Sequence, residues 1–134
     1  MSEPDTRQIL RSAPYFPVPD VERSVAHYER VFGFRREYVA GTEFGIVSRD
    51  GLPVMFRRVA EPALISQNEK QGGSWDAFFW VVDAKALHAE LKASGADVVY
   101  GPMVQESYQM LEFAVRDGDG YVLGFGEALA RGEH

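Results

Sequence analysis

The first third of the chain changes from a strand-like run to a helical period. An apolar run from Pro14 to Val18 is followed by Asp20, a residue type that favours the N-cap of a helix. Apolar side chains then recur three and four positions apart, at Val21, Val25, Tyr28 and Phe32. This spacing predicts an amphipathic helix that begins after Asp20 and ends at Gly33.

The second half of the chain repeats this plan. Residues 76–97 open with the apolar run AFFWVV, and Asp83 stands where a second helix would begin. The apolar stripe of this helix consists of Ala84, Leu87 and Leu91, and Gly95 marks its predicted end.

Three strand-like runs follow each predicted helix. They are residues 35–39, 43–48 and 53–59 in the first half, and residues 98–103, 110–116 and 121–126 in the second. Asp-Gly pairs, typical of tight β-hairpins, precede the last run of each half. Each half is therefore predicted to be a βαβββ module, about residues 11–60 and about residues 75–128, joined by a polar linker at about residues 61–74. The two modules together predict a single domain, residues 1–134.

One helix cannot cover both faces of a four-stranded sheet. We therefore expect an α+β fold in which the tandem modules form a curved, mixed, eight-stranded sheet with a concave face left open as a ligand cavity. Strand alternation divides the side chains between the two faces. The helix side is predicted to receive Phe16, Val18, Val54, Phe56, Phe78, Trp80, Leu123 and Phe125. The concave side is predicted to receive Tyr15, Met55, Arg57, Ala77, Phe79, Val122, Gly124 and Gly126.

Two glycines interrupt the last predicted strand. Gly124 and Gly126 alternate with good strand formers, although glycine weakens a strand interior. On the concave face, small residues would leave space for a ligand. The alternative is a β-bulge or a tight bend.

Composition excludes several classes of protein. The chain has no cysteine, which rules out disulfides, thiolate metal sites and a cysteine nucleophile. The formal net charge is −6 and no basic cluster is longer than Arg57-Arg58, which argues against a nucleic-acid partner. No signal peptide or membrane span is apparent, so we expect a cytoplasmic protein with no membrane partner.

These elements resemble the vicinal oxygen chelate superfamily, which includes glyoxalase I, extradiol dioxygenases and bleomycin-resistance proteins. The resemblance covers about residues 10–128 and rests on FPVPDVERSVAHYERVFGF, VVDAKALHAELKASGADV and EFAVRDGDGYVLGFGE. The last stretch and ALHAEL are most similar to the bleomycin-resistance branch. The order and duplication of the motifs imply the fold, whereas function depends on the site.

The resemblance also bears on metal binding. Metal-dependent members hold a divalent ion through His, Gln or Glu from the first and last strand of each module. The corresponding positions here are Ala13, Met55, Ala77 and Gly124, and none carries an oxygen or imidazole donor. We therefore expect no metal and no other cofactor. A shift of one residue would bring in Asp76, but a lone carboxylate does not hold a metal.

The function implied is a metal-free protein that sequesters a planar ligand, cationic or neutral, as bleomycin-resistance proteins do. The expected ligand-binding residues are Tyr15, Met55, Arg57, Trp75, Phe79, Tyr108, Glu112 and Gly124. Each aromatic residue could instead pack in the core or an interface. The alternative function is a lyase, isomerase or dioxygenase-like enzyme with Glu112 as general base. The simpler interpretation of Glu112 is a solvated strand residue or a partner for an arginine.

Quaternary structure is a further implication of the resemblance. Bleomycin-resistance relatives pair two chains so that modules from different subunits face each other. The resemblance thus implies a homodimer with ligand clefts at the interface. The alternative is one chain that folds both of its modules around a single cleft.

Overall fold

The computed structural model describes residues 6–130 and contains two α-helices and eight strands. The first module consists of β1 (Tyr15–Val18), α1 (Val21–Phe32), β2 (Arg35–Ala40), β3 (Phe44–Arg49) and β4 (Leu52–Arg58). The second consists of β5 (Ala77–Trp80), α2 (Ala84–Ala93), β6 (Asp97–Gln105), β7 (Met110–Arg116) and β8 (Val122–Ala128). Two short 3₁₀ turns, Pro62–Leu64 and Asn68–Gln71, lie between the modules. The predicted α+β class and the tandem βαβββ order are confirmed.

Both helices begin at the predicted aspartates. Asp20 accepts a hydrogen bond from the backbone N–H of Arg23 at 3.1 Å, and Asp83 accepts one from that of Ala86 at 3.0 Å. These bonds satisfy amide groups that the first turn of a helix leaves without intrahelical partners. Helix α1 ends at Gly33, whose left-handed backbone (φ 73°) suits a residue without a Cβ.

The eight strands form two separate four-stranded sheets. Their orders are β1-β4-β3-β2 and β5-β8-β7-β6, with the first strand of each module parallel to the last. Within residues 6–130 no strand ladder joins the sheets, so β1 and β5 each have one unpaired edge. The described part of the chain therefore forms two sheets and not the one continuous eight-stranded sheet that was expected. We call the face of each sheet that packs on the helix its helix side and the other face its open side.

A single apolar core joins the modules on their helix sides. It includes Phe16 and Phe56 of the first sheet and Phe113 and Phe125 of the second. The ring of Tyr121 stacks on Phe16 with centroids 4.2 Å apart, and its hydroxyl donates to the carbonyl of Pro17 at 2.5 Å. The two modules are therefore packed together through the faces that carry the helices.

The β7–β8 turn anchors the second module on α1. The buried Asp117 carboxylate accepts a hydrogen bond from the Tyr28 hydroxyl at 2.7 Å, and it also accepts from the backbone N–H groups of Asp119 and Tyr121. Burial raises the pKa of Asp117 to about 6, and its three donors oppose that rise. Asp119 accepts from the hydroxyl of Ser24 at 2.5 Å. These contacts fix the start of β8 relative to the first module.

Strand alternation assigns most side chains to the correct face. Phe16, Val18, Val54, Phe56, Leu123 and Phe125 all lie in the core, as predicted. The prediction is wrong for β5, in which the residues assigned to the two faces of the sheet are exchanged. Ala77 and Phe79 pack against the core on the helix side, and Phe79 stacks on Phe125 at 5.3 Å. Phe78 and Trp80 instead lie on the open side.

None of the helices among residues 6–130 is long and apolar enough to span a lipid bilayer.

Candidate functional site

An aromatic pocket lies on the open side of the second sheet. It has a volume of about 380 Å³ and is lined by Trp75, Phe78, Trp80, Tyr108 and Met110. Phe78 lies between the two tryptophans, with ring centroids 4.7 Å from Trp75 and 5.1 Å from Trp80. The planes are inclined by 60° and 72°, so the rings form walls around the pocket and do not stack on each other. Trp80 is 74% exposed, an unusual position for so large an apolar side chain.

The two strand glycines lie beneath these rings. The register pairs Phe78 with Gly124 and Trp80 with Gly126, and paired positions share a face. A Cβ on Gly124 would lie 2.6 Å from Cδ1 of Trp75 and 2.8 Å from Cδ2 of Phe78. A Cβ on Gly126 would lie 2.6 Å from Cε of Met110. The expectation that a ligand fills the space above both glycines is therefore wrong, because the protein's own side chains occupy it.

A chain of hydrogen bonds runs beneath the pocket to Glu112. The indole Nε1–H of Trp75 donates to the Tyr100 hydroxyl at 2.8 Å. Because that hydroxyl oxygen accepts from a group that can only donate, its own proton is free to bind Oε2 of Glu112. The Tyr108 hydroxyl donates to the other carboxylate oxygen, Oε1, at 2.8 Å. Glu112 thus holds three aromatic side chains in place.

The Glu112 carboxylate has no exposed surface. Within residues 6–130, both of its oxygens are bonded to phenols and no lysine or arginine forms an ion pair with it. Both simpler interpretations from sequence, a solvated residue and a partner for an arginine, are therefore wrong. Burial and the hydrogen bond to Glu112 raise the pKa of Tyr108 to about 12. The same two causes raise the pKa of Tyr100 further, so both phenols remain protonated donors at neutral pH.

Local irregularity in β6 positions Tyr100. The β6–β7 register shifts on both sides of this residue. The next residue, Gly101, has φ 83°, and a Cβ there would collide with the carbonyl oxygen of Glu112. Glycine is required at this close approach of two strands. The bend turns the Tyr100 side chain toward the carboxylate.

The structure brings together half of the residues predicted to bind ligand. Trp75, Tyr108 and Glu112 meet on the second sheet, with Gly124 beneath Trp75. Phe79 does not belong with them, because it lies on the helix side.

Tyr15, Met55 and Arg57 lie on the first sheet and outside the aromatic pocket. Tyr15 is 54% exposed and approaches Phe44 with ring centroids 6.4 Å apart. Arg57 borders a separate cavity of about 500 Å³ near the end of β4, lined by both charged and apolar residues. Among residues 6–130, the aromatic pocket and the cavity beside Arg57 have no lining residue in common.

Sequence reasoning missed four residues of this region. The strand pattern predicts the wrong face for Phe78 and Trp80, and it does not place Met110 or Tyr100 in the site. For Met110, the sequence does contain a pattern that indicates its place in the site. It is two residues before Glu112 on the same strand, so alternation places both on the same side.

The described residues offer no cluster of three or more His, Asp or Glu side chains suited to a metal ion. Ala77 is not the correct equivalent of a metal-ligand position, because it lies on the helix side. Its neighbour Asp76 uses its carboxylate to accept hydrogen bonds from the backbone N–H groups of Asn68 and Val122, both at 2.8 Å. Asp76 is therefore engaged in fixing the linker to the start of β8.

The chain belongs to the Glyoxalase/Bleomycin resistance protein/Dioxygenase superfamily, whose profile matches residues 12–125. A comparison with curated protein sequences found no match.

Solved structures of similar fold include TioX and two proteins whose descriptions name bleomycin. TioX from Micromonospora sp. ML1 superposes with a TM-score of 0.69 at 24% identity, over 90% of this chain and 99% of that chain. The bleomycin-binding protein of Streptomyces verticillus, complexed with copper(II)-bleomycin, superposes with a TM-score of 0.66 at 21% identity. This match covers 92% of this chain and 100% of that chain. A bleomycin resistance determinant encoded on transposon Tn5 superposes with a TM-score of 0.70 at 20% identity. This match covers 90% of this chain and 98% of that chain. At these identities the similarity establishes the fold.

The contacts above Gly124 predict the effect of enlarging it. In Gly124→Ala, the new methyl group must displace Trp75 or Phe78, so the Trp75–Tyr100 hydrogen bond should be lost. We expect a loss of about 1 to 3 kcal/mol in the free energy of unfolding, together with an altered near-ultraviolet circular dichroism spectrum.

Gly118→Ala is the matched control, because a Cβ there would meet the His27 ring at an ordinary 3.4 Å. Chemical denaturation of both variants measures the difference. A Gly124→Ala protein with the stability and aromatic spectrum of the wild type would contradict the packing described here.

Proposed function

We propose that this protein is a metal-free binding protein that sequesters a planar cation in the aromatic pocket. The observation that carries the proposal is the buried carboxylate of Glu112, which lies beneath aromatic walls and has no basic partner within residues 6–130. A buried anion without a counter-ion is costly, so a cation placed against it would be strongly favoured. A bound cation would supply the missing opposite charge.

The walls of the pocket suit the same kind of ligand. The faces of tryptophan and tyrosine rings attract cations electrostatically, and they offer a large apolar surface to a flat guest. Trp75, Phe78 and Trp80 present three inclined rings, and the most exposed of them, Trp80, loses the most contact with water when a ligand covers it. Aromatic walls with one placed polar group are the usual composition of a small-molecule site.

The structural neighbours support binding as the mode of action. One of them is described as a bleomycin-binding protein in complex with copper(II)-bleomycin, and another is a bleomycin resistance determinant. We extend this mode, sequestration of a small molecule, to the present chain. The chemistry of the ligand is inferred from this chain's own pocket.

The geometry favours binding over the enzymatic alternative. A general base needs a free oxygen within reach of the substrate proton. Both oxygens of Glu112 already accept hydrogen bonds, and the carboxylate has no exposed surface. In this arrangement Glu112 is suited to act as a fixed negative charge beneath the pocket, with which a cation pairs through a hydrogen bond and without proton transfer.

We further propose that two chains associate so that the first sheet of one covers the aromatic pocket of the other. Strands β1 and β5 each have an unpaired edge, and such edges favour association with another chain. The open sides are also rich in exposed aromatic residues, including Tyr15, Tyr38 and Trp80.

The role of Glu112 can be tested with a pair of flat dyes. 9-Aminoacridine is a cation at neutral pH, and acridone is a neutral molecule of similar shape. In Glu112→Gln, which removes the charge and keeps the side-chain volume, we expect affinity for 9-aminoacridine to fall by about tenfold or more and affinity for acridone to change little. Titrations followed by tryptophan fluorescence give both dissociation constants.

Glu106→Gln is the matched control for this test. Glu106 is exposed in the β6–β7 turn, close in sequence to Glu112, so its replacement removes one negative charge without touching the buried site. The proposal fails if neither dye binds, or if both variants weaken 9-aminoacridine equally.

Association predicts a defined molar mass. We expect light scattering at micromolar concentration to give twice the chain mass of 15.0 kDa. Tyr15→Glu, which places a charge on the open side of the first sheet, should shift the mass toward that of one chain. A wild-type species of one chain mass across this concentration range would refute the dimer.

A further inference from the structure

The two oxygens of Glu112 are held very differently. Oε2 is bonded to Tyr100, which is itself bonded to Trp75, so replacing that donor would disturb two hydrogen bonds. Among the described residues, Oε1 accepts a hydrogen bond from Tyr108 alone. Tyr108 belongs to the four-residue turn between β6 and β7, is 47% exposed and lines the pocket. A ligand in the pocket can therefore reach Glu112 by displacing one hydroxyl, that of Tyr108.

Displacing the Tyr108 hydroxyl removes the hydrogen-bond donor of Oε1, so the ligand must replace that donor. A buried carboxylate oxygen that loses its donor is left unsatisfied, and the free-energy cost is larger when the group is charged. An incoming cation must therefore supply a hydrogen-bond donor as well as a charge. A fully alkylated cation offers the charge alone.

We propose that the ligand is a planar cation with an N–H donor, such as a protonated heteroaromatic amine or an amidinium, and that this donor replaces the Tyr108 hydroxyl on Oε1 of Glu112. This inference rests on the proposed function and specifies its ligand class. Tyr108 is then a specificity-determining residue. Its hydroxyl satisfies the carboxylate until the ligand arrives, and a ligand without an N–H cannot take over that bond.

The test compares two cations of one ring system. 9-Aminoacridine carries N–H donors, whereas 9-dimethylamino-10-methylacridinium has the same charge and none. In Tyr108→Phe, Oε1 of Glu112 lacks its donor before the ligand binds, and only the N–H cation restores one. We expect Tyr108→Phe to tighten the binding of 9-aminoacridine by about fivefold, the equivalent of one net hydrogen bond, and to change the binding of the alkylated cation by less than about twofold.

Tyr100→Phe is the matched control. It removes the donor to the other oxygen, which lies behind the Tyr100 ring and the Trp75 indole, so it should not tighten either cation. Both variants should have a lower melting temperature than the wild type, because each leaves one oxygen of a buried carboxylate without a donor. An unchanged melting temperature in Tyr108→Phe would contradict the bond on which the inference depends.

The outcomes separate this inference from the proposed function. If both cations bind and Tyr108→Phe weakens 9-aminoacridine, or tightens both cations alike, the exchange of donors is wrong and the binding function stands. If neither cation binds to the wild type, the proposed function fails and the inference fails with it.

Discussion

A carboxylate buried among aromatic rings, without a counter-ion in the described chain, constrains the whole open side of the second sheet. Glu112 can be tolerated there only if both of its oxygens accept hydrogen bonds. Tyr100 and Tyr108 meet that need, and the hydroxyl of Tyr100 in turn fixes the indole of Trp75. One buried charge thus determines the orientation of three rings around the pocket.

The glycines of β8 are part of the same constraint. Trp75 lies so close to Gly124 that a Cβ there would be 2.7 Å from its Nε1, the atom that donates to Tyr100. Phe78 and Met110 lie similarly close to Gly126. The strand is in turn held by the β7–β8 turn, which is anchored on α1 through Asp117 and Tyr28. The geometry of the pocket therefore depends on how the two modules pack together.

Sequence reasoning succeeds here where polar and apolar residues alternate, and it fails where they do not. The aspartates that cap α1 and α2, and the apolar stripes of these helices, can be read from the sequence without ambiguity. In β7, Glu112 interrupts a run of apolar residues and so indicates which side chains face away from the core. Strand β5, Ala77-Phe78-Phe79-Trp80, is apolar at every position, so its phase could not be read from hydrophobicity. Its true phase places Phe78 and Trp80 in the pocket and Phe79 in the core.

Tyr100 shows a second reason why alternation along a strand can fail to predict where a side chain lies. Alternation assumes a regular ladder, and the register of β6 is broken on both sides of this residue. The bend depends on Gly101 passing close to the backbone of β7, a contact between strands that no local pattern reveals. The network around Glu112 was for this reason invisible in the sequence, although Glu112 itself stood out.

The most direct test of this account is a crystal structure of the protein with 9-aminoacridine. The account predicts that the ring system lies in the aromatic pocket against Trp75 and Trp80, with an N–H group within hydrogen-bond distance of Oε1 of Glu112. Electron density for the dye in the cavity beside Arg57, or in the aromatic pocket with its N–H groups directed away from Glu112, would contradict it.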